Sequence, residues 1–140
     1  MTISYEVVTP LSGTNRLYGA VHAREGEEFT GFIRWDRNEG SWTDLLDASK
    51  PNDKGGESLS GIRFGHMDRI DLLRRDAALF TLESSEQVQL NGNATDLGTG
   101  LRALLVDTED GMRAQLDWND LKAVDFFPPP SAHPPKDGRL

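Results

Sequence analysis

The chain is 140 residues long and contains no cysteine, which excludes disulfides, thiolate nucleophiles and cysteine-type zinc sites. Its formal net charge of −8 at pH 7 sets it against non-specific contact with nucleic acid or anionic lipid, since both partners need neutralising Lys and Arg. No apolar run approaches the roughly 18 residues of a membrane span, and Met1–Pro10 has no basic segment leading into an apolar core, so a cytoplasmic protein without membrane insertion is expected.

Ile3–Val8 alternates and is rich in strand formers, a first strand ended by Pro10 and a turn over 11–15. Leu17–Arg24 and Phe29–Asp36 predict a hairpin across Glu25-Gly26-Glu27. Its return strand sets Phe29, Gly31, Ile33 and Trp35 on one face and Thr30, Phe32, Arg34 and Asp36 on the other. Trp42–Asp47 predicts one short helix, with Asp44 as its cap and Trp42, Leu45 and Leu46 as its packed side. Ser49–Gly56 collects polar residues and breakers and predicts a loop. Ile62–Phe64, a tight turn and Ile70–Leu73 follow, then Ala78–Glu83, a turn at Ser84-Ser85, and Gln87–Leu90. Asn91–Gly100 reads as a second polar loop. Leu101–Val106 and Met112–Trp118 flank Asp110-Gly111, a strong hairpin signal, and Leu121–Phe127 closes the folded part. Five prolines between Pro128 and Lys136 predict an extended or disordered tail.

The two halves of the chain match. Ile62-x-Phe64-x-x-Met67-x-x-Ile70-Asp71-Leu72-Leu73 lines up with Leu116-x-Trp118-x-x-Leu121-x-x-Val124-Asp125-Phe126-Phe127. The physical sense is a strand ending in an aromatic, one tight corner and a new strand. A fainter match joins Val21–Phe29 to Phe80–Val88. Hairpin, variable polar loop, then strand, corner and strand is an order that resembles SH3-like and Sm-like small β-barrels. The resemblance implies a mainly β chain of two such repeats, with one short helix and a Pro-rich tail; a single β-sandwich is the alternative. The implied divisions are 1–76, an N-terminal strand plus the first repeat, 77–127, the second repeat, and 128–140, the tail. Gly31-Phe32-Ile33-Arg34-Trp35-Asp36-Arg37-Asn38 also resembles the first Sm-like segment, in which the positions of Asp36 and Asn38 would help hold RNA. The second, glycine-and-basic segment has no clear counterpart.

No constellation points to catalysis. His22, His66 and His133 lack ligand spacing, and Asp44, Asp47 and Asp53 are irregularly spaced with Lys50 between them. The glycines of 91–100 lack the Gly-Lys-Ser/Thr ending of a phosphate loop. Neither catalytic residues, nor metal ligands, nor cofactors are assigned. The expected function is a non-enzymatic protein-interaction or self-assembly module, with a protein partner, chiefly a second copy of the chain in a homo-oligomer. Its expected contact surface is Phe32, Trp35, Trp42, Leu45 and Leu46, with Arg34 and Arg37 at the rim, beside sheet edges at Phe29–Asp36 or Leu121–Phe127. The alternatives are an Sm-like RNA-associated protein using Asp36 and Asn38, and a small hydrolase with its site in a 37–60 loop.

Overall fold

The computed structural model describes residues 3–8, 15–36, 39–51, 57–74, 77–91, 97, 101 and 103–129. The strands are β1 (Ser4–Val7), β2 (Tyr18–Ala23), β3 (Glu28–Arg34), β4 (Leu45–Pro51), β5 (Glu57–Arg63), β6 (Met67–Arg74), β7 (Ala77–Leu82), β8 (Gln87–Asn91), β9 (Leu104–Thr108), β10 (Met112–Leu116) and β11 (Leu121–Phe126). Single 3-10 turns, η1 (Phe64–His66) and η2 (Trp118–Asp120), precede β6 and β11. The protein is therefore mainly β, as its alternating sequence predicts. All strand pairs are antiparallel and join one sheet in the order β1-β10-β9-β3-β2-β11-β6-β7-β8-β4-β5, which is not closed into a barrel.

The repeated motif builds two corners of one backbone shape. At η1 the flanking residues Arg63 and Met67 are extended, and the Met67 N–H returns to the Phe64 carbonyl. At η2 Asp117 and Leu121 are likewise extended, and the Leu121 N–H returns to the Trp118 carbonyl. Each corner swallows its own ring and aliphatics: Phe64, Met67 and Ile70 on one side, and Trp118, Leu121 and Val124 on the other, are at most 2% exposed. These side chains share one core cluster with Val21, Ile33, Trp35, Phe80 and Leu116. Each such burial contributes roughly 1.5–3 kcal/mol.

The fainter match is equally real in the backbone. The Ala23 N–H donates to the Glu27 carbonyl at 2.8 Å and the Leu82 N–H to that of Glu86 at 2.9 Å. Gly26 and Ser85 hold matching positive φ angles of 108° and 75°. The turns then dock crosswise: the Arg24 N–H donates to Asp120 O of η2 at 2.8 Å, and the Glu83 N–H to His66 O of η1 at 2.9 Å.

Pairing of the strands also crosses between the halves. Strands β2 to β6 have counterparts β7 to β11, and the sheet order, β1 aside, reads the same from both ends when each strand is exchanged for its counterpart. Its middle is the β11–β6 pair. β3 continues to β9 rather than to β4, and β8 continues to β4 rather than to β9. Gly19 and Gly31 face one another across β2 and β3. A Cβ on Gly31 would lie 2.1 Å from the Asp107 carbonyl oxygen, and one on Gly19 would lie 2.0 Å from that of Asp125. Only residues without a side chain let the neighbouring strands approach this closely.

Some expectations are corrected. The helix over Trp42–Asp47 does not form: a turn over 41–43 leads directly into β4. Asp44 caps that turn instead, its Oδ2 accepting the N–H groups of Gly40 and Ser41 at 2.9 Å each. The expected loop from Ser49 to Gly56 and the 37–60 loop as a whole are largely a β-hairpin, Leu45–Pro51 against Glu57–Arg63, with residues 37–38 and 52–56 outside the described residues. Pairing with the adjacent strand β5 along its whole length, and with β8 at Ser49, outweighed the weak strand propensity of this segment. The expected edges are also displaced. β3 is paired on both sides by β2 and β9, and β11 by β2 and β6; the end strands are β1 and β5. Of the 91–100 loop only Asn91, in β8, and Leu97, fully buried, are described, and of the proline tail only Pro128 and Pro129.

Candidate functional site

The corner at η1 borders a groove lined by aromatic rings. Trp42 precedes β4, and its carbonyl accepts the Gly65 N–H of η1 at 2.8 Å, while the Phe64 N–H donates to Asp44 O at 3.0 Å. Gly65 sits tight on this segment: a Cβ there would approach the Trp42 carbonyl oxygen to 3.0 Å. The Trp42 ring then leans edge-on against Phe126 at 6.1 Å between centroids, and Phe126 against Phe64 at 5.9 Å. The chain leaves β11 along this shelf, where the Phe127 N–H donates to Tyr18 O at 3.1 Å. Trp42, Met67, Phe126 and Phe127, with Pro128 and Pro129, line a groove of about 410 Å³ whose remaining wall includes Asp68 and Glu83.

The counterpart corner is covered. Arg24, which occupies at η2 the place Glu83 occupies at η1, donates from Nε to the Asn119 carbonyl at 3.1 Å and from Nη2 to that of Leu121 at 3.5 Å. A guanidinium can lie across corner carbonyls because it is all donor; a carboxylate is all acceptor and cannot. At η1 the matching place holds Glu83, whose carboxylate adds to the groove wall.

A second polar assembly spans the middle of the sheet. Asp125 of β11 accepts both Arg69 Nη1 contacts, at 2.7 Å each, and lies 2.9 Å from His22 Nε2. Arg69 Nε donates to Asp71 at 2.9 Å, and His22 Nδ1 lies 3.3 Å from Glu28. Burial alone would raise the Asp125 carboxyl, but the hydrogen bonds from Arg69 and His22 hold it below its usual range. The same bond, chiefly, raises Arg69, against the lowering effect of burial. Nearer β1, Arg113 grips Asp107 with two bonds of 2.6 and 2.9 Å and is raised by that contact first. Burial, and then Glu109, raise the Tyr18 phenol. These charges satisfy one another across strands, and Asp107 and Arg113 also line a small hollow with Arg16 and Arg34. Among the described residues no group of three or more His, Cys, Asp or Glu is placed to hold a metal ion, and no helix is long and apolar enough to cross a membrane.

No family model, curated protein or solved structure matches the chain. The site therefore has to be read from its own residues.

The residues expected to form one contact surface are dispersed. Trp35 and Leu46 are wholly buried, Trp35 at 6.1 Å from Phe64 in the core. Phe32 and Arg34 lie on the opposite face of β3 from Ile33, where Phe32 meets Tyr18 edge-on at 5.1 Å and Tyr18 meets Phe127 at 5.7 Å. Trp42 is half-buried at the groove, and Leu45 nearby is exposed. Asp36 is half-buried with a φ of 49°, a conformation Asp tolerates better than most residues. Arg37 and Asn38 lie outside the described residues. Of the residues expected at the contact surface only Trp42 lines the groove; Met67, Asp68, Glu83 and Phe126, which line it too, were not among them. Two of them, Met67 and Phe126, were visible as motif positions, though nothing along the chain says that they share a groove with Trp42.

Proposed function

We propose that this protein is a non-enzymatic protein-interaction module that captures an extended, proline-rich peptide carrying Lys or Arg. The observation that carries the reading is the groove at η1: aromatic rings of Trp42, Phe126 and Phe127 beside the carboxylates of Asp68 and Glu83. Flat rings bind the preformed rings of an extended proline-rich segment at small entropic cost, and the acidic wall selects a cationic residue. Pro128 and Pro129 of the chain itself lie in that lining. The place of the groove, beside the corner before the last strand of a half, supports the SH3-like reading of each half, and the exchanged strands make it one assembly rather than two. A protein partner follows from this reading.

The test uses the tryptophans as reporters. The chain has three, and Trp35 and Trp118 are at most 2% exposed, so a ligand in the groove reaches Trp42 alone. Titration with a synthetic peptide alternating Pro and Arg shifts the emission of the wild type, the shift weakens as salt rises, and Trp42→Phe abolishes it. No shift at millimolar peptide, or an equal shift in Trp42→Phe, would overturn the reading.

A further inference from the structure

β1 is an end strand of the sheet, paired among the described residues only by β10, and all four of its residues are exposed. Tyr5 is 55% and Val7 81% exposed, so two of the five exposed large hydrophobic residues among the described ones fall in this one short strand. An edge is ordinarily blunted by charge, proline or a bulge. Here the single charge, Glu6, is set opposite Arg113 of β10.

The ladder decides which backbone groups are free. The Val8 N–H donates to Gly111 O at 2.8 Å, next in register after Val7 against Met112. Antiparallel strands alternate, so Val8, Glu6 and Ser4 turn their N–H and C=O toward β10, whereas Ile3, Tyr5 and Val7 turn theirs to the open side. We infer that a second copy of this chain pairs with that side, antiparallel, about a two-fold axis through Tyr5. In this register Tyr5 meets Tyr5 of the other copy and Ile3 meets Val7, so every outward group from 3 to 7 finds a partner. The apolar side chains share one face, and Ser4 lies beside Glu6 on the other. Centring on Glu6 would set two carboxylates opposite one another. Centring on Ser4 would leave Val7 with no outward-facing partner within residues 3–8. The face carrying Tyr5 also gives onto a hollow of about 610 Å³ lined in part by Phe29, Met112 and Ala114, apolar surface for the incoming side chains. Two-fold pairing consumes both β1 edges, so this contact by itself stops at a dimer.

This surface shares no residue with the groove, and its assembly is read by mass, not by Trp42 emission. Sedimentation of the full chain over a concentration series shows a mass rising from 15.5 kDa toward twice that value. Tyr5→Pro removes an outward N–H while sparing the bonds that Ser4, Glu6 and Val8 make to β10; Val7→Lys adds a charge to the edge. Both variants remain monomeric where the wild type is dimeric, with the emission of Trp35 and Trp118 unchanged as the check on folding. If Tyr5→Pro fails that check, Val7→Lys decides. A wild type monomeric at its highest soluble concentration, or a dimer undiminished in the folded variants, would overturn the proposal.

Discussion

Asp125 shows how a single position comes to depend on residues that the chain order keeps apart. It stands on β11 between His22 of β2 and Arg69 of β6, at separations of 103 and 56 residues. Asp71 holds the matching place in the other half, but the counterpart of Arg69 is Ala123, so a single guanidinium serves both carboxylates. A carboxyl held below its ordinary value of 3.8 stabilises the fold at neutral pH, and that contribution is lost as pH falls below 3.8 through the folded-state value. Asp125→Asn therefore lowers the melting temperature at pH 7, and the gap to the wild type narrows as thermal scans are carried below about pH 4. A gap that stays constant from pH 7 to 3 would mean the residue acts by packing alone. The Asp125 pairing had no sequence signal beyond the place of the residue in the repeat, because side chains on a sheet face are brought together by strand order.

At the scale of elements, the corners and turns are where the sequence is most explicit. The spacing that returned Phe64 and Trp118 to equivalent places encodes one 3-10 turn each, because a buried ring and the aliphatic three residues later leave room for little else. The matching hairpin turns differ at one informative position. Gly26 adopts its φ of 108° without steric penalty, whereas Ser85 at 75° carries a Cβ in a region that costs an L-residue roughly 1–2 kcal/mol. Ser85→Gly should raise stability in urea unfolding by up to about 1 kcal/mol, after the added freedom of the unfolded chain is subtracted, and Gly26→Ser should lower it by a similar amount. The helix expected over Trp42–Asp47 was lost for the opposite reason. Its apolar spacing fits a strand entering a sheet as well as a helical turn, and the pairing of β4 with both β5 and β8 decided between them.

At the scale of the molecule, the exchange of strands makes the halves interdependent. The 77–127 half carries β9 and β10, whose inner neighbour is β3, while its own β8 seeks β4. Segments 1–76 and 77–140 expressed separately should each lack dispersed amide resonances, and mixing them should restore a folded spectrum. Dispersed spectra from either segment alone would show that its sheet is self-sufficient. Strand content, the doubled corner, the two hairpin turns and the acidic balance are legible along the chain, because they depend on local spacing and composition. That the halves trade strands, that β1 rather than β3 or β11 lies at an edge, and that Trp42 lines a groove with acids while Trp35 is in the core are set by the three-dimensional pairing. Those outcomes turn on which distant backbones pair, and alternating strands of similar pattern carry no local mark of their partners.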